Sequence, residues 1–160
     1  MTISEEPPKS IIVQTRKGSD IKNTQDYVPF AFGKLLELKD LKSKFPFVTI
    51  KGKENSLYNC HGLTFASKRT WIQELADLQM ILKEDDYKEI PSNQTLPGDI
   101  VLYYSDDGDI EHSGILVDVN EGGDVRVPRI ISKWGDGYEV IHVFSDCPYN
   151  FSNVKYYRNE

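Results

Sequence analysis

The sequence predicts an α+β domain in which N-terminal helices pack on one face of a curved antiparallel sheet. Two observations carry this. Apolar residues recur at helical spacing in the first half, with Trp71, Leu75, Leu78 and Leu82 at i, i+4, i+7 and i+11. After Pro97-Gly98 the pattern changes to short β-rich runs, DIVLYY, HSGILVDV, VRVPRIIS and YEVIHVF, separated by the turn-rich SDDGD, NEGGD and GDG. The second half therefore reads as an antiparallel meander or partly closed barrel, with NVKYYR as a last strand that closes it or covers an edge.

The elements follow in order. Residues 1–27 are polar and carry Pro7, Pro8 and Gly18, so they read as a flexible arm. Residues 28–160 form one domain, as expected for a chain of 160 residues with 39% apolar and 28% charged side chains. Phe32, Leu35, Leu36, Leu38, Leu41 and Phe45 approximate a helix that Pro46 stops. A short helix over 61–67 would follow Cys60, and a longer one would run from Trp71 until Glu84, Asp85, Asp86 and Pro91.

Composition narrows the function classes. The formal charge is −6 and no dense run of Lys or Arg marks a phosphate-tracking stripe, which argues against nucleic acid. No stretch reaches membrane-spanning length and MTISEEPPKS lacks the features of a secretory signal, so the expectation is a cytoplasmic protein without membrane contact. Two cysteines make neither a disulfide framework nor a paired zinc motif, and SDDGD lacks the central Gly and distal Glu of an EF-hand loop. No metal or cofactor is expected.

The stretch LYNCHGLTFA places Cys60 at a helix start, where unpaired N–H groups and the helix dipole favour a thiolate. Gly62 would let a substrate or a neighbouring backbone come close. A nucleophilic Cys needs a base, and the chain has three histidines. His61 follows Cys60 directly and points away from it along the helix surface. His142 sits within an alternating strand, as sheet histidines do. His112 opens a strand after a hairpin turn and is the best-placed base.

Asn-Cys-His-Gly-Leu, then Leu96-Pro-Gly-Asp-Ile-Val-Leu-Tyr, then His112-Ser-Gly-Ile-Leu-Val, resembles the cell-wall cysteine peptidases and amidases of the NlpC type and their CHAP relatives. The likeness covers about residues 57–134. It implies a papain-like core, Cys60 as nucleophile, His112 as base, and an amide substrate of the peptidoglycan-peptide or γ-glutamyl kind, cleaved through an acyl-enzyme. Asn59 stands where Asp is usual and His61 where Ser is usual.

The look-alike families take the residue that orients the histidine from the next strand. Counting across a turn flanked by Val119 and Asp124 puts Ile131 opposite His112, and one bulge near Pro128 puts Ser132 there. Ser132 is the expected third member, with a water or a backbone carbonyl as substitutes. Tyr58, Asn59, His61 and Trp134 are expected to contact substrate, and Cys147 to be inert. Two other readings stay open: a non-catalytic binding module with a protein partner, and an acyl transferase.

Overall fold

The computed structural model describes residues 9–25, 38–122, 125–135 and 137–159. The fold is α+β and mostly β: three short helices with an open, seven-stranded antiparallel sheet. In chain order the elements are α1 (Leu38–Lys44), β1 (Thr49–Lys51), α2 (Cys60–Phe65), α3 (Leu75–Glu84), β2 (Tyr87–Ile90), β3 (Ile100–Tyr104), β4 (Ile110–Gly122), β5 (Val125–Lys133), β6 (Glu139–Val143) and β7 (Val154–Asn159). The sheet order is β1-β6-β5-β4-β3-β7-β2.

The meander expected after Pro97-Gly98 is present as β3 to β6. The last strand does something else: β7 inserts between β3 and β2, so β2 and β1 are the edges and the sheet does not close into a barrel. Ile100, Val101, Leu102 and Tyr103 of β3 are all buried, as a strand covered on both faces requires. Val101, Tyr103, Leu116, Ile130, Trp134 and Val140 pack with Leu41 of α1, while Ile21, Ala66, Ile72, Leu78 and Ile81 form a second cluster with α3. Asp99, just before β3, ties that strand to β7 at one end of the sheet. Its carboxylate accepts from the Leu96 N–H at 2.7 Å, capping the Pro-Gly turn, and holds Arg158 of β7 through two bonds of 2.7 and 2.8 Å.

Two expectations change. The helix read from Trp71 begins at Leu75, because the Trp71 backbone is committed to a two-bond bridge with Thr24. Residues 9–25 are not a loose arm: Ile21 is 3% exposed and lies in the second cluster. The acidic end of α3 holds this segment, with Glu84 accepting from the Thr15 and Ser19 hydroxyls and Asp85 from the Arg16 N–H. The first half of the helix read over residues 32–45 lies outside the described residues, and α1 supplies the rest.

Candidate active site

Asn59 caps α2 and explains its own departure from Asp. Its side-chain oxygen accepts from the N–H groups of Gly62 (2.9 Å) and Ile72 (3.2 Å), while its amide donates to the Ile72 carbonyl at 2.8 Å. A carboxylate could accept the first two but has no proton for the third. Gly62 is required for a backbone neighbour: a Cβ there would overlap the Thr70 carbonyl oxygen. Gly114 of the His-Ser-Gly motif is likewise a packing glycine, since a Cβ would meet Ile130 and the Ile131 carbonyl on β5 at 2.6 and 2.8 Å.

The first contacts tie α2 to residues 70–72, and Ser113 of β4 meets α2 at His61 and Thr64. The Cys60 sulfur lies near Ser113 and the His61 backbone, which favour its thiolate. Ser113 follows His112 on β4, which lies between β3 and β5 in the sheet. Cys60 is 9% exposed. Burial pushes its thiol up to about 11, and Ser113 and the His61 backbone together with the Lys133 charge offset this only in part. The helix-start argument for a lowered thiol pKa is thus overruled by desolvation.

His61 begins a directed proton chain. Thr64 donates to the Cys60 carbonyl (2.9 Å), so its oxygen accepts from the Ser113 hydroxyl (2.9 Å), which in turn accepts from His61 Nδ1 (2.8 Å). Burial lowers the His61 pKa to about 4.

His112 is fully buried, and among the described residues neither of its ring nitrogens has a hydrogen-bond partner. Its ring lies against Tyr149, centroids 3.6 Å apart and planes 10° apart, with Tyr103 of β3 at 5.1 Å. Burial holds its pKa well below the ordinary histidine value, reinforced by His142 and His61. A thiolate at Cys60 would act through space on the Tyr149 hydroxyl.

Ser132 does not orient His112. The strand pair extends to Gly122 and Val125, and Val119 pairs with Pro128; the shift falls between Leu116 and Asp118, which sets Ile131 opposite Ile115. Ser132 instead serves His142. His142 Nδ1 meets the Val143 carbonyl at 2.7 Å and must carry the proton, so Nε2 accepts from Ser132 Oγ at 2.7 Å, and Trp134 Nε1 donates to the same oxygen at 3.1 Å.

The four residues expected to touch substrate face inward too. Trp134 is 2% exposed and packs edge-on against Phe45 and His142. The Tyr58 hydroxyl bonds Glu139, and Lys133 Nζ lies 4.9 Å over its ring while bonding the Asn55 and Gly135 carbonyls. Asn59 and His61 are committed as described. Three surface depressions, of about 540, 670 and 390 Å³, are lined by other residues than Cys60 and His112. Cys147 is buried beside the Phe144 carbonyl.

The residue that sequence reasoning missed is Tyr149. It sits in the aperiodic stretch DCPYN, where no spacing assigns it to a face. Comparisons of the chain with family models, with curated proteins and with solved structures found no match.

Proposed function

We propose that this chain is a cysteine hydrolase that cleaves an amide bond through an acyl-enzyme on Cys60, with His112 as general base. One observation carries the reading: a fully buried imidazole with both nitrogens unpartnered among the described residues, adjacent in sequence to a residue that lies near the Cys60 sulfur. A buried polar group without a partner costs about 1–3 kcal/mol. Folding alone gives no reason to keep it, whereas a base awaiting a proton must hold a lone pair free.

At neutral pH both groups are uncharged in this arrangement, the thiol protonated and the imidazole neutral. Proton transfer from sulfur to His112 therefore accompanies attack on the carbonyl, rather than preceding it as a stable ion pair. The proton then goes to the leaving amine, and water resolves the thioester. The N–H groups at the start of α2 would serve as donors for the oxyanion. The papain-like core implied by the ordered Cys, Pro-Gly-Asp and His-Ser-Gly motifs fits a helix-borne Cys60 packed on a His-bearing strand.

The test is hydrolysis of γ-glutamyl and muropeptide amides, with mass spectrometry of the denatured enzyme to catch an acyl group on Cys60. Turnover by the native chain that Cys60→Ala abolishes supports the reading. Turnover that survives in that variant refutes it.

A second reading has its own support. The high thiol pKa and the inward commitment of Tyr58, Asn59, His61 and Trp134 suit a non-catalytic binding module. A Cys60→Ala chain that keeps its full biological effect favours that alternative.

A further inference from the structure

We propose that Tyr149 is the positioning residue of His112, fixing the imidazole plane by stacking in place of a hydrogen-bonded third member. This rests on the hydrolase reading above. A base histidine needs its ring held, and the usual device is an acceptor on the nitrogen that does not take the proton. Ser132, the polar candidate on the neighbouring strand, is bound to His142. What contacts the ring of His112 is aromatic: Tyr149 covers one face at 3.6 Å, nearly parallel, and Tyr103 approaches at 5.1 Å and 60°. A stack of this kind fixes the plane and leaves both nitrogens open, which an acceptor would not do.

Tyr149 is itself anchored. Its hydroxyl lies near the backbone of Gly135, the glycine after Trp134 that adopts φ 64°, and that backbone acts on it. The clamp therefore links the turn after β5, the segment between β6 and β7, and the first residues of β4. Cys60 lies within electrostatic reach of the same ring.

The experiment reads His112 by NMR and Cys60 by alkylation in the native chain, Tyr149→Phe, Tyr149→Leu and His112→Leu. The groups acting on His112 are Tyr103 from β3, His142 from β6, His61 from α2 and Tyr149, so the histidines are assigned separately. In the native chain the His112 ring protons should be displaced upfield by the Tyr149 ring current. Tyr149→Phe should keep that displacement and stay within about twofold of the native alkylation rate at pH 7, because the ring remains. Tyr149→Leu should lose the displacement, raise the His112 titration midpoint by about one unit as water enters, and lower the alkylation rate about tenfold.

Native His112 protons without the displacement overturn the proposal, and need no variant to fold. So does Tyr149→Phe behaving like a lost stack. Alkylation unchanged in Tyr149→Leu but lowered in His112→Leu overturns the positioning role alone. Alkylation unchanged in both overturns the hydrolase reading with it.

Discussion

His142 and His112 are both buried imidazoles on strands of one sheet, yet they are treated in opposite ways. His142 has a carbonyl on Nδ1 and a hydroxyl on Nε2, and Trp134 completes the set. His112 has two aromatic rings as neighbours and, among the described residues, no partner on either nitrogen. His61 belongs with His142, bonded through Ser113 and Thr64 back to α2. The difference teaches where this fold spends polar groups on its own stability and where it does not.

The largest expected effect is that of acid, and the buried histidines share it, since burial lowers the pKa of His112 as well as those of His61 and His142. His61 and His142 have pKa values lowered from about 6.5 to about 4, so the unfolded chain takes up protons that the folded chain refuses. Their stabilisation is complete above the unfolded value, and falls as pH drops from about 6.5 towards 4. The loss should approach roughly 3 kcal/mol for each, given 1.36 kcal/mol per unit. Urea unfolding at pH 7, 5.5 and 4.5 measures it. A flat profile would break the assignment of these rings as buried and neutral.

Replacement of each ring by leucine sharpens the contrast. His142→Leu leaves Ser132 without its acceptor in a sealed site and should cost about 2–4 kcal/mol. His112→Leu removes an unpartnered group from an aromatic pocket and should be neutral or stabilising by about 1 kcal/mol. Equal destabilisation by both, in the same unfolding assay, would erase the comparison. A smaller effect lies beside them at the α2 cap: Asn59→Asp keeps two accepted bonds, faces the Ile72 carbonyl without a proton, and should cost about 1–2 kcal/mol by the same measurement.

The α+β class, the meander and the α2 start were legible because period and turn chemistry are local. Gly62 was legible as a close approach, though the neighbour turned out to be Thr70. What failed was whatever depends on register and on chain returning from afar. The turn between β4 and β5 lies at Gly122 and Val125 instead of being flanked by Val119 and Asp124, so the register runs several residues on and Ser132 meets His142 of β6, an offset invisible in VRVPRIISK. NVKYYR was legible as a strand, but its insertion between β3 and β2 was not, and the return of Tyr149 onto His112 comes from a segment with no periodic signal. The thiol of Cys60 was misjudged because a helix start is electrostatically favourable only where the sulfur is not desolvated.

The most direct measurement is the rate of Cys60 alkylation by iodoacetamide from pH 5 to 10, in the native chain and in His112→Leu. If the two groups work together, the native rate at pH 7 should exceed that of the variant about tenfold, with a different pH profile. Superimposable profiles that rise together as a lone thiol ionises would contradict the pairing on which the account is built.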